Sequence, residues 1–193
     1  AFLPDYTEIP QSVRERARLL FVNYPNNPTA ATAPTSFYKE TVAFAHEQKI
    51  VVAHDFAYNE ICFNHYKPSS ILQIPGAKDV AVELGSLSKT FNMTGWRIGY
   101  MVGNKNVIQS VAKIKSNVDT GQYRAIQRTG AYALTGPRDF LEQNIAIYEE
   151  RLKVVVEGLR KAGIEVFPPK ATFFVWAKVP SGETSAKFAE RFL

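Results

Sequence analysis

Lys89 stands in a hydroxyl-rich turn, Ser86-Leu87-Ser88-Lys89-Thr90, and Arg97 follows eight residues later in Thr94-Gly95-Trp96-Arg97. An amine held among apolar and hydroxyl groups beside a cation sheds its proton more readily than a solvated one and can then form a Schiff base with an aldehyde. The Ser86 and Ser88 hydroxyls and the planar Arg97 fork match the oxygens of a phosphate dianion. A phosphorylated aldehyde is the ligand such a stretch suits. The plain alternative is a polar turn between two strands, because most lysines are solvated surface.

Pyridoxal 5'-phosphate (PLP) makes these demands and one more, a carboxylate that keeps its ring nitrogen protonated so that the ring can take up electrons. Asp55 directly follows an apolar run and is expected at the C-terminal end of a strand, where open α/β sheets place ligands. It could equally cap the turn that follows. Tyr58, three residues on, can reach the same side of a bound ring and donate to its phenolic oxygen, or pack at a core edge. Asn27 lies between Asn26 and Pro28, with Pro25 just upstream. The prolines fix an extended turn, with Asn27–Pro28 a candidate cis bond, and a rigid amide there can aim at a ring oxygen or simply serve the turn. His54 neighbours Asp55 on the strand and so points to the opposite face, which makes it structural.

These residues need a scaffold, and the chain supplies a regular one. Runs 19–23, 50–53, 80–84 and 97–102 read as strands, with a helix over 36–48 carrying Phe37, Thr41, Phe44 and Ala45 on one face. Helices are expected at about 106–116 and 125–134, then a long one over 138–161 stopped at Gly163. The alternation implies a three-layer α/β/α fold with a mostly parallel sheet. The Gly136-Pro137 break divides residues 1–136 from 137–193. Beyond it, 165–167 and 172–177 read as strands and 184–193 as a helix that ends mid-pattern, so a piece of a longer protein is expected. Trp96 is expected to pack beneath its loop.

Composition excludes several classes. The 193 residues carry a formal charge of +5, but no run of four basic residues marks a nucleic-acid surface. One cysteine, Cys62, excludes an internal disulfide framework and fits a reducing compartment, with the cytoplasm the expected location. No apolar run is long enough to span a membrane. His46, His54, His65 and Cys62 lack metal-site spacing, and no glycine-rich nucleotide loop is present.

Taken in order, Asn23-Tyr24-Pro25-Asn26-Asn27-Pro28-Thr29, His54-Asp55-Phe56-Ala57-Tyr58, Ser86-Leu87-Ser88-Lys89-Thr90 and Asn92-Met93-Thr94-Gly95-Trp96-Arg97 resemble the active-site motifs of the class I/II aminotransferases, the aspartate aminotransferase-like PLP enzymes. The resemblance covers nearly the whole chain. It implies that Lys89 bonds the cofactor and shuttles the proton, that Asp55 pairs with the ring nitrogen, that Tyr58 and Asn27 contact the phenolic oxygen, and that Ser86, Ser88 and Arg97 hold the phosphate. It implies part of a large PLP-binding domain over 1–136, an interdomain helix with part of a small domain over 137–193, and a homodimer. The reaction implied is ping-pong transfer of an amino group between an amino acid and a 2-oxo acid. Pro75-Gly76-Ala77-Lys78-Asp79 and Lys115-Ser116-Asn117 look most like the LL-diaminopimelate aminotransferases of lysine biosynthesis, with alanine- and aspartate-type members next. Ala30 stands where many relatives have glycine. The ring-stacking aromatic and the substrate-carboxylate arginine of the family fall outside the chain, so these residues alone are expected to be inactive. A PLP-dependent β-lyase and a non-catalytic PLP-sensing regulator domain share the motifs.

Overall fold

The computed structural model describes residues 2–191. After a short helical turn α1 (Gln11–Arg14), the strands β1 (Leu19–Asn23), β2 (Val51–Asp55), β3 (Ala81–Ser86) and β4 (Gly99–Gly103) form one four-stranded sheet in that spatial order. β1 with β2 and β2 with β3 run parallel, whereas β4 returns antiparallel to β3. Parallel neighbours need crossovers, and these are α2 (Thr35–Gln48) before β2 and α3 (Ala77–Val80) before β3. The result is an α/β fold with a mostly parallel sheet. A left-handed residue, Lys49 (φ 54°), ends α2, its N–H donating to the Ala45 and His46 carbonyls and turning the chain straight into β2. Val22, Val52, Tyr38, Val42, Ile71 and Ala81 form the centre of the core between sheet and helices.

The third strand ends in a single helical turn, α4 (Leu87–Thr90), followed by α5 (Lys105–Val118), α6 (Arg124–Thr135) and the long α7 (Asp139–Lys161). Asn104 fastens the start of α5, its Oδ1 accepting the Val107 N–H at 3.0 Å and its Nδ2 donating to the Asp79 carbonyl at 2.8 Å. A two-stranded sheet of β5 (Val166–Phe167) and β6 (Trp176–Ala177) and then α8 (Ser185–Glu190) follow. The last two positions of the helix expected over 184–193, Phe192 and Leu193, lie outside the described residues.

Two local expectations are corrected. Of the strand expected over 172–177, only Trp176–Ala177 pairs within the small sheet. Thr172 is buried in a left-handed conformation (φ 69°) and donates its N–H to the Ile61 carbonyl at 2.8 Å, so the segment crosses over to the 61–63 loop, where Ala171 bridges Cys62. Trp96 is 54% exposed, because the tight turn Thr94–Trp96 carries it outward.

Candidate active site

The three parallel strands bring three motifs to one end of the sheet. Asn23 lies in register with Asp55, and Asp55 with Leu84, two residues short of Ser86. The loops leaving β1, β2 and β3 carry Asn27, Tyr58 and Lys89 respectively. The crevice beyond the carboxyl ends of parallel strands is where such sheets bind ligands.

Asp55 is half-buried, and its Oδ1 accepts the Ala57 N–H at 3.2 Å, so it caps the turn while leaving carboxylate oxygen for a ligand. Tyr58 is buried edge-on against Phe173 and Phe174, with ring centroids 5.5 and 5.6 Å away. Burial first, and the negative charge of Asp55 second, hold its phenol above the ordinary 10.0, while a hydrogen bond with the Asn27 side chain pulls it back down. Tyr58 thus feels both Asp55 and Asn27 directly.

Lys89 lies in α4, whose start is capped by Ser86, the hydroxyl accepting the Ser88 N–H at 3.2 Å. Its Nζ sits 5.9 Å from the centroid of the same Phe173 ring that packs on Tyr58. Among the described residues no ion pair involves Lys89, so this half-buried amine faces an aromatic ring and no acid. Arg97 follows in the turn that leads into β4. Its backbone is left-handed (φ 52°), its side chain is exposed, and its Nη1 donates to the Thr94 carbonyl at 2.7 Å. Thr94 in turn donates its hydroxyl to the Ser88 carbonyl at 3.0 Å, joining the Arg97 turn to the Lys89 turn.

Beneath the site, on the opposite face of β2, His54 is fully buried. Its Nε2 faces the Tyr24 carbonyl at 2.9 Å, which can only accept, so that nitrogen carries a hydrogen. Its Nδ1 meets Glu83 Oε2 at 3.3 Å, and the Ser70 hydroxyl donates to the same oxygen at 2.7 Å. This buried cluster binds β2 to β3 and to the Tyr24–Pro25 bend, one of two cis X-Pro bonds, the other being Asn27–Pro28.

The donor set fits a phosphorylated pyridine aldehyde. It offers a carboxylate (Asp55), a phenol (Tyr58), an amide (Asn27), an amine without an ion-pair partner among the described residues (Lys89), two serine hydroxyls (Ser86 and Ser88) and a guanidinium (Arg97). Two hollows lie nearby: one of about 910 Å³, lined among others by Glu60, Cys62, Tyr66 and Arg138, and one of about 450 Å³ beside Tyr148 and Val175 that reaches Phe173. Neither is lined by Asp55, Tyr58, Lys89 or Arg97. The chemistry of the side chains, and not the size of a cavity, makes this a candidate site. Sequence reading missed Phe173, whose contact with Lys89 and Tyr58 depends on the Thr172 crossover. It also missed Asn23, which occupies on β1 the same terminal position that drew attention to Asp55 on β2.

The profile of the family described as aminotransferase class I and II matches residues 1–192. The chain is 50% identical over 192 residues to the LL-diaminopimelate aminotransferase of Moorella thermoacetica, covering 100% of this chain and 49% of that protein. It is 49% identical to that of Aquifex aeolicus, covering 100% and 50%. Among solved structures, substrate-bound BacF of Bacillus subtilis superposes with a TM-score of 0.93 at 42% identity, covering 100% of this chain and 49% of that one. The aspartate aminotransferase of Thermotoga maritima gives 0.82 at 28% identity, covering 91% and 45%. The chain spans about half the length of the curated relatives it matches.

Proposed function

Because the chain belongs to the class I and II aminotransferases, we propose that it forms the cofactor-binding part of a PLP-dependent enzyme that moves an amino group between an amino acid and a 2-oxo acid, with LL-diaminopimelate as the amino compound, in lysine biosynthesis. The observation that carries this reading is the convergence of Asn27, Asp55, Tyr58 and Lys89 at one sheet end, with Tyr58 responding to both Asp55 and Asn27. The relatives' names supply the substrate. Bound there, PLP supplies an aldehyde for the incoming amine and a cationic ring that withdraws electrons from the substrate's α-carbon.

The chain's own side chains then have distinct tasks. The Asp55 carboxylate holds a proton on the ring nitrogen. Tyr58, kept protonated by burial and by the charge of Asp55, donates its hydroxyl hydrogen to the ring's phenolic oxygen, and Asn27 orients that hydroxyl. Lys89 Nζ would hold the cofactor's aldehyde and, as a free amine, would move the substrate's α-proton. Phe173 gives Lys89 and Tyr58 a shared apolar neighbour. Ser86, Ser88 and Arg97 bind the phosphate.

The long α7 between the two sheets supports a division into part of a large PLP-binding domain over 1–136 and, over 137–193, an interdomain helix with part of a small domain. Exposed Ile114, Val118, Tyr123 and Tyr132 on and between α5 and α6 support a homodimer, since apolar surface of this kind is usually covered. No helix among the described residues is long and apolar enough to cross a membrane. With the single cysteine, this supports a cytoplasmic enzyme.

The test uses the protein expressed from its whole gene. It should convert LL-diaminopimelate and a 2-oxo acid, and Lys89→Ala should cut turnover at least about a thousandfold and abolish the visible absorbance of bound cofactor. Full turnover by Lys89→Ala would refute the role of Lys89. Turnover with other amino acids but none with LL-diaminopimelate would refute the substrate.

A further inference from the structure

Outside the residues given roles above, the side chain of Asn23 has the most specific set of partners. It is the last residue of β1 and lies in register with Asp55 on β2. Its Nδ2 donates to the Asp55 carbonyl at 3.0 Å and, more weakly, to the Pro25 carbonyl at 3.4 Å. On its other side, Oδ1 accepts the Asn27 backbone N–H at 2.8 Å and the Asn26 side-chain amide at 3.3 Å. The orientation of the amide follows from these partners. A backbone carbonyl can only accept and a backbone N–H can only donate, so nitrogen must face Asp55 and oxygen must face Asn27.

We propose that Asn23 is a positioning residue of the PLP site, a single amide that sets the distance between Asp55, which faces the ring nitrogen, and Asn27, which serves the phenolic oxygen. This rests on the reading of the site given above. The two residues belong to different elements, and the side chain that links both backbones at the site is this one. Asn26 does different work: its Oδ1 accepts the Thr29 N–H at 3.1 Å and the Thr29 hydroxyl at 2.6 Å, closing the turn on itself. Few other side chains can replace Asn23. Aspartate keeps the acceptor for Asn27 but has no donor for Asp55, serine is too short to reach both, and leucine fills the volume with neither function. Loss of the link lets the two ends of the ring's binding frame move apart, and misplacement on the scale of an ångström is costly in a preorganised site.

The experiment measures PLP affinity, the absorbance maximum of the bound cofactor and the melting temperature of the cofactor-free protein, for wild type, Asn23→Leu and Asn23→Asp made in the whole-gene protein. Asn23→Leu should weaken PLP affinity about tenfold and shift the absorbance maximum, because the maximum reports the protonation that Asp55 and Tyr58 enforce. Asn23→Asp should fall between it and wild type. Wild-type affinity and absorbance in Asn23→Leu would overturn the proposal, whatever happens to the melting temperature. If Asn23→Leu does not fold, Asn23→Asp decides by the same two readouts, and unchanged values overturn it. Failure of the wild type itself to bind PLP would instead overturn the functional reading on which the proposal stands.

Discussion

At the Asp55 end of the site, side chains are tied to elements distant in sequence, whereas at the Arg97 end the Thr94 and Arg97 side chains bond within neighbouring turns and the one distant side-chain tie among the described residues is Gln122 Nε2 donating to the Arg97 carbonyl at 3.3 Å. Asn23 reaches Asp55 across strands, His54 spans from Tyr24 to Glu83, and Tyr58 packs edge-on against the Phe173–Phe174 pair. Arg97, by contrast, is exposed and bonds to the carbonyl of Thr94, three residues before it. Strand register and buried polar pairs hold the first end rigid before any ligand arrives. A guanidinium on an exposed turn retains the freedom to meet a phosphate. The difference teaches that the ring end supplies preorganised chemistry and the phosphate end supplies adaptable affinity, a division that suits a site where orientation matters most at the ring.

Four changes would break or sharpen that contrast. The largest effect is expected from His54→Ala, which strips the buried Glu83 carboxylate of its imidazole partner and leaves the Tyr24 carbonyl unpaired. Urea unfolding should show a loss of about 3 kcal/mol or more. Next, Arg97→Ala should leave unfolding within about 0.5 kcal/mol of wild type yet weaken PLP binding by roughly ten- to a hundredfold, as measured by equilibrium dialysis. A large stability loss in Arg97→Ala would erase the distinction between the two ends.

The third change is alkaline pH. Burial pushes the Tyr6 phenol up to about 12 from its ordinary 10.0, and burial together with Glu60 pushes the Cys62 thiol up to about 12 from 9.0. Tyr38, which touches His54, is raised in the same direction by burial. Groups raised in the fold favour their protonated forms there. Their contribution is therefore complete below the ordinary values and is lost as pH climbs towards about 12. Unfolding free energy measured at rising pH should hold steady near neutrality and fall above 9.0, the ordinary thiol value. The smallest effect belongs to Ala30, buried in a left-handed conformation (φ 57°) at the end of the Asn27 turn. Relief of that strain by Ala30→Gly, less the added chain entropy, should stabilise the protein by about 0.5–1 kcal/mol, visible as a higher melting temperature.

The same division governs what could be read from sequence. Strands β1 to β4 were legible because apolar runs alternate with helical patterns, and the positions of Asp55 at a strand's end and of Lys89 just beyond one followed from that rhythm. Features set by tertiary contacts were not legible. Phe173 reads as one residue of a strand, and only the left-handed Thr172 and its bond to Ile61 carry it to Lys89. Trp96 reads as core by its type, yet the turn that holds Arg97 exposes it. Asn23 gives no local signal beyond its place at the end of a strand, because its meaning lies in partners four and thirty-two residues away.

The central claim concerns one amine, and borohydride reduction followed by peptide mass spectrometry tests it most directly. The whole-gene protein is mixed with PLP and reduced, which makes any lysine–aldehyde bond permanent, and the labelled peptide is sequenced. The account predicts a single label on Lys89. A label on other lysines with none at Lys89, or no label at all, would contradict it.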